Sequence, residues 1–235
     1  MKKGIIFDFD DTLVETTVHF EISRERFASF MSELDFPMAE VLDTLDRTDI
    51  ENVRKMGGYL KECFPQAMVQ TYRHFCSREG INPEPEQCKE VERIGWWVFD
   101  QRPDPVPGAV SVLEKLRGDF EMILATKGDP TVQWQRIEAS GLKHFFSGIF
   151  VLRDKTPEEY KKIAGLHGME TGVSWIVGNS IKSEINPGLR AGFNCIYIPN
   201  KYTWHLENED PIGEYVTLKS LQMIPQLLGK NSMAV

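Results

Sequence analysis

Residues 4–17 read Gly-Ile-Ile-Phe-Asp-Phe-Asp-Asp-Thr-Leu-Val-Glu-Thr-Thr, an apolar run of strand length that ends in three carboxylates, Asp8, Asp10 and Asp11, followed by Thr12. Two acids one residue apart at the mouth of a buried strand repel each other and lose hydration. They persist where a cation neutralises them or where one of them performs chemistry, so the stretch points to a magnesium-assisted site. Three further groups stand just past later apolar runs. Ile123-Leu124-Ala125 leads into Thr126-Lys127-Gly128, Lys155 follows Phe150-Val151-Leu152, and Trp175-Ile176-Val177 leads into Gly178-Asn179-Ser180 with Glu184 beyond. Polar groups at four strand ends can meet in one crevice, which is the arrangement a catalytic site requires.

The elements that would position them are legible in the periodicity. Lys3–Phe9 is an opening strand, and later strands are expected at Phe120–Thr126, Gly148–Leu152, Ser174–Val177 and Cys195–Ile198, with a weaker one at Tyr215–Leu218. Helices are expected to start near Val110, Asp129, Thr156 and Ile181. Strands alternating with helices predict right-handed crossovers and a parallel sheet covered on both faces. Between residues 17 and 101 the apolar spacing is helical instead. Phe20, Phe27, Phe30, Met31 and Leu34 share one face, and further helices are expected over Met38–Met56, Pro65–Glu79 and Glu84–Phe99. The fold class is therefore α/β, a doubly wound parallel sheet formed by residues 1–16 and 102–235, with residues 17–101 inserted as a helical domain. That insertion point places a cap above the carboxyl ends of the strands, where doubly wound folds bind ligands. The tail from Leu228 to Val235 is expected to fray.

Composition narrows the partners. The chain has 235 residues, 41% hydrophobic and 26% charged, in the range of a globular protein. Acidic residues outnumber basic ones 35 to 27, for a formal charge of −8. That balance argues against binding a nucleic-acid polymer, which calls for a concentrated basic face. The four cysteines, Cys63, Cys76, Cys88 and Cys195, lack CxxC spacing, and the N-terminus lacks the apolar core of a signal peptide. Reduced thiols in a cytoplasmic protein with no membrane association are expected.

The set Asp8-Phe9-Asp10-Asp11-Thr12, Thr126, Lys155-Thr156-Pro157 and Gly178-Asn179-Ser180 through Glu184 resembles the four motifs of the haloacid dehalogenase-like hydrolase superfamily, in the phosphatase type whose α-helical cap follows the first strand. The resemblance implies that Asp8 is the nucleophile and that Asp10 protonates the leaving alcohol and later activates water. That second role calls for a carboxyl whose pKa is raised while its neighbour stays ionised. Relatives that cleave carbon–halogen bonds lack the second acid, so Asp10 favours a phosphatase. The resemblance also implies Mg2+ held by the Asp8 side chain, the Asp10 carbonyl and Asn179, where the family more often has Asp. Glu184 stands where a second Asp is frequent. Lys155 would neutralise Asp8 and the phosphoryl group, Thr126 would bind phosphate with Lys127 beside it, and Thr12 would brace the loop. The helix after Asp129 would offer N–H groups to the phosphate.

The implied substrate is a small phosphorylated metabolite: sugar phosphates, phosphoglycolate-like acids and nucleoside monophosphates are all compatible. A phosphate-ligand binding protein without turnover, a dehalogenase and a phosphomutase are the alternatives. Phe64, Tyr72, Phe75, Trp96 and Trp97 are expected as helix core in the insert, and His205 as a loop or interface residue rather than a base.

Overall fold

The computed structural model of the chain describes residues 2–202, 207 and 209–231. His205 lies outside these. The chain forms two compact units, residues 1–16 with 103–235 and residues 17–102.

The first unit is built on a six-stranded, all-parallel sheet of order β3-β2-β1-β4-β5-β6. The strands are β1 (Gly4–Phe7), β2 (Glu121–Lys127), β3 (Gly148–Leu152), β4 (Trp175–Gly178), β5 (Asn194–Tyr197) and β6 (Val216–Thr217). Side chains alternate across the pleat. Ile5, Phe7, Leu124, Val177 and Ile196 enter one core, with α5 (Ala109–Leu116), α6 (Pro130–Ser140) and α9 (Ile224–Asn231). Ile6, Ile123, Ala125, Ile176 and Cys195 enter the other, with α7 (Pro157–His167) and the segment around α8 (Asn186–Arg190). Both faces are covered, which is why the strands read as continuous apolar runs. Residues 232–235 lie outside the described residues, and as far as Asn231 the expected fraying from Leu228 is corrected by α9, where Leu228 is 4% exposed and packs in the first core. Its apolar spacing with Ile224 was enough to hold a last helical turn.

Two helix starts fix the site. Asp129 caps α6, accepting from the N–H groups of Thr131 at 2.9 Å and Val132 at 3.2 Å, with Pro130 in the first turn. Those N–H groups are thereby taken up by the helix's own cap, which corrects the expectation that they are offered to a phosphate. Thr156 caps α7 through Glu159 N–H at 3.2 Å and sets the backbone direction just after Lys155.

The second unit contains α1 (Thr17–Glu33), α2 (Met38–Met56), α3 (Cys63–Arg78) and α4 (Pro85–Trp96). Phe27, Met31, Phe64, Tyr72 and Phe75 are buried in its core, and Trp97 is packed against it. Arg24 forks onto Asp46 of α2, and beside this pair Asp49 holds a buried Oδ1 without a hydrogen-bond partner. Burial, then the negative charge of Asp46, push the Asp49 carboxyl up to about 7 despite Arg24. A carboxyl raised on folding stabilises the fold fully below its unfolded value and loses that contribution as pH rises through about 7. Asp49→Asn is therefore expected to stabilise the protein at pH 8 by on the order of 2 kcal/mol, with the gain vanishing near pH 4. Thermal melts at the two pH values check this, and an equal shift at both would refute it. No helix among the described residues is long and apolar enough to cross a membrane.

Candidate active site

Asp8 follows β1 directly, and its N–H bonds to Val177 O at 2.9 Å, which ties the β1 end to the β4 end. Its Oδ1 receives the Lys155 ammonium at 2.5 Å and its Oδ2 the Thr12 hydroxyl at 2.8 Å. Lys155 is 4% exposed and also donates to Glu184 Oε1 at 2.7 Å, while Ser180 N–H donates to Glu184 Oε2 at 2.8 Å. Burial alone would lower the lysine's pKa; Asp8 and Glu184 outweigh it and hold the ammonium firmly protonated. Burial pushes the Glu184 carboxyl up, opposed by Lys155. The same burial raises Asp8, opposed by Lys155 and Thr12. Glu184 reaches the lysine from a single π-helical turn, Ile181–Ile185. A Cβ on Gly178 would lie 2.2 Å from Glu184 Cγ, so only glycine leaves room for this side chain at the β4 end.

Asp10 is held on both carboxylate oxygens. Oδ1 accepts from the Thr16 hydroxyl and from Arg136 Nη1, each at 2.8 Å. Oδ2 accepts from Gln133 Nε2 at 2.6 Å and from the Thr126 hydroxyl at 3.3 Å. Burial raises this carboxyl, but Arg136 and the Gln133 and Thr16 hydrogen bonds overcome it, and the net displacement is downward. The order expected of the two acids is thus reversed: Asp10 is the more easily ionised and Asp8 the less. The cause is the donor set from α6, far along the chain from the acidic motif.

Asn179 follows β4 and completes a cluster of oxygens. Its carboxamide faces Asp8 Oδ2 at 3.1 Å and the Asp10 carbonyl at 3.3 Å. With the nitrogen turned toward them it donates to both. With the oxygen turned toward them, three oxygens converge, an arrangement that a cation would reconcile. The Thr12 hydroxyl lies 3.3 Å from the same amide oxygen position. These are hard oxygen donors of the kind Mg2+ prefers, few enough to leave it several waters. Among the described residues no group of three or more His, Cys, Asp or Glu could hold a metal, so a cation here would draw on amide and backbone oxygens beside the Asp8 carboxylate.

Thr126 is 1% exposed and receives Gln133 Nε2 at 3.0 Å as well as facing Asp10. Lys127 points its ammonium at Ser183 Oγ, 2.7 Å, and Glu207 Oε1, 2.6 Å. Glu207 also accepts from Ser180 at 2.7 Å and from Ser183. Burial opposes its ionisation, but Lys127 and these hydroxyls bring it down to about 2. A substrate phosphate reaching Lys127 would compete with this carboxylate. Asp8, Asp10, Thr12, Thr126, Lys155, Asn179 and Glu184 are brought together in one network, and Thr16, Gln133, Arg136 and Glu207 join them. The sequence signal for Gln133 and Arg136 was their spacing of three on the helix after the Thr126 strand, which puts two long polar donors on one face.

A family model described as haloacid dehalogenase-like hydrolase matches residues 5–198. The pyrimidine 5'-nucleotidase PynA of Streptococcus pneumoniae is 29% identical over 246 aligned positions, covering 97% of this chain and 96% of that protein. The pyrimidine 5'-nucleotidase YjjG of Escherichia coli is 28% identical over 133 residues, and the match spans 54% of this chain but only 58% of that relative's length. Among solved structures, a haloacid dehalogenase-like family hydrolase from Xanthomonas campestris superposes with a TM-score of 0.79 at 22% identity, covering 97% of this chain and 91% of the other.

Proposed function

The chain belongs to the haloacid dehalogenase-like hydrolase family, and from that premise we propose that it is a magnesium-dependent phosphomonoester hydrolase acting on a small phosphorylated metabolite through an aspartyl-phosphate. The observation that carries the reading is the second carboxyl. Asp10 is held by four donors, Thr126 among them, in the same network as Asp8. A halide leaving group needs no proton, whereas an alkoxide does, so a fixed second acid favours a phosphate ester over an alkyl halide.

An Asp8 oxygen attacks phosphorus; the bond from phosphorus to the ester oxygen breaks, and its electron pair leaves on that oxygen, which takes the proton of Asp10. Water then attacks the same phosphorus and gives a proton back to Asp10, and the Asp8–phosphorus bond breaks to release inorganic phosphate. Lys155 stands on Asp8 throughout and balances the charge that gathers on the phosphoryl oxygens. The donors around Asp10 favour its ionised form, which the second step uses. A phosphate dianion arriving beside it adds a like charge, and that raises its proton affinity for the first step. Asp8, the Asp10 carbonyl and Asn179 would hold Mg2+, whose charge would ease the approach of one anion to another.

Phosphate release from a generic aryl phosphate is the direct test, followed by a panel of nucleoside monophosphates, sugar phosphates and phosphoglycolate-like acids. Pyrimidine nucleoside monophosphates come first in that panel because two of the similar proteins are pyrimidine 5'-nucleotidases. Turnover is expected to fall at least about 100-fold on chelation and return with Mg2+; turnover that is indifferent to chelator would contradict the metal assignment. The Asn179 amide motivates one second reading, a protein that binds phosphorylated ligands without turning them over. Binding of magnesium and phosphate with no turnover across the whole panel would favour it.

A further inference from the structure

Gln133 is a buried amide whose polar contacts are satisfied on one side only. It is 4% exposed, and its Oε1 has no hydrogen-bond partner, a state that costs free energy in a core. Its nitrogen faces Asp10 Oδ2 at 2.6 Å, Thr126 Oγ1 at 3.0 Å and the Lys127 carbonyl at 2.9 Å. The turn before α6 is shaped to admit it. Gly128 has φ 145°, and a Cβ there would lie 3.0 Å from Gln133 Nε2. One helical turn on, Arg136 spans two groups at once, with Nη1 on Asp10 Oδ1 at 2.8 Å and Nη2 on Thr16 Oγ1 at 2.6 Å. Thr16 closes the triangle by donating to Asp10 Oδ1 at 2.8 Å.

The Asp10 side chain has two rotatable bonds and sits in a loop beyond the end of β1. A proton donor must come within hydrogen-bond reach of the departing oxygen, and a misplacement of about 1 Å costs on the order of 100-fold in rate. Four donors on two oxygens fix both bonds. Resting on the phosphomonoester reading above, we propose that Gln133 and Arg136 are positioning residues that aim the Asp10 carboxyl at the leaving-group oxygen. They act on the departure of the alcohol and leave phosphate capture to Asp8 and Lys155.

Leaving-group chemistry separates this role from a merely structural one. Phenyl phosphate needs its departing oxygen protonated, whereas 2,4-dinitrophenyl phosphate releases a stable anion. Arg136→Met and Gln133→Ala are expected to lose about 100-fold in kcat on phenyl phosphate, with KM within about twofold, and to lose less than about fivefold on the dinitrophenyl ester. Arg136→Lys, which keeps a charge but not the fork, should recover part of the loss. Thr16→Val removes one hydroxyl with little change of shape and is the variant to use if the α6 substitutions do not fold; a selective loss of about tenfold on phenyl phosphate is expected. Equal losses on the two esters, or losses confined to KM, overturn the assignment while the hydrolase reading stands. Absence of turnover in the wild type on either ester overturns both.

Discussion

Asp8→Asn is expected to take phosphate release to background, a fall of at least about 10⁴-fold in kcat. An amide of the same shape keeps the packing but supplies no nucleophile, and among the described residues no other carboxylate is held against both the Lys155 and Thr12 donors. The buried ammonium does not lose its last partner, because Glu184 still accepts from it at 2.7 Å. The variant should therefore fold, with a melting temperature close to that of the wild type, and the lost activity reports chemistry. Substantial turnover in a folded Asp8→Asn protein would sink the aspartyl-phosphate mechanism. Trapping the phosphoryl-enzyme by rapid acid quench in the wild type and its absence in the variant give the complementary reading.

Lys155→Met should be the more damaging change to the molecule as a whole. In kcat the loss of the buried cation is expected to cost about 10²- to 10³-fold, the size of an electrostatic contribution at a developing charge. In stability it leaves the Asp8 and Glu184 carboxyls facing each other without the charge between them. Breaking one side of a buried pair costs roughly 3–5 kcal/mol, or a fall of about 10 °C in melting temperature for a chain of this size. The sign of the pH dependence follows from burial, which already raises both acids. Without the lysine their folded pKa values rise further, so the variant's deficit grows as pH increases and shrinks on acidification. Adding Glu184→Gln to Lys155→Met should recover much of the melting temperature and none of the activity. Recovery of both would assign the lysine a purely structural place.

The strand ends were legible because each polar group follows an apolar run directly: Asp8 after Gly4–Phe7, Asn179 after Trp175–Gly178, Thr126 inside Glu121–Lys127. The helices of residues 17–102 were legible from period alone, and Met38–Met56 has the expected bounds. What the sequence left out is the tuning. The ordering of the Asp8 and Asp10 acidities depends on Arg136 and Gln133, which stand 126 and 123 residues from Asp10 and come near it only through the β1–β2 pairing and the cap of α6. Lys127 illustrates the same limit. Adjacency to Thr126 suggested a phosphate ligand, while its partner Glu207 comes from the segment after β5. Local pattern carries no information about such side-chain meetings.

The place of β1 in the sheet bears on how the site comes into being. Its two neighbours are β2, whose pairing joins Gly4 to Glu121, and β4, whose pairing joins Ile5 to Trp175. On a growing chain β1 emerges before both of its neighbours and stays without either lateral partner until the chain reaches Glu121. The helices α1 to α4 close only short loops and can form early, whereas β1 must wait for contacts of long sequence separation, the slow kind. Asp8 and Asn179 meet only when β4 docks, so the capacity for chemistry is acquired late in folding, and a ribosome-bound fragment ending before residue 175 has the acids but not the site.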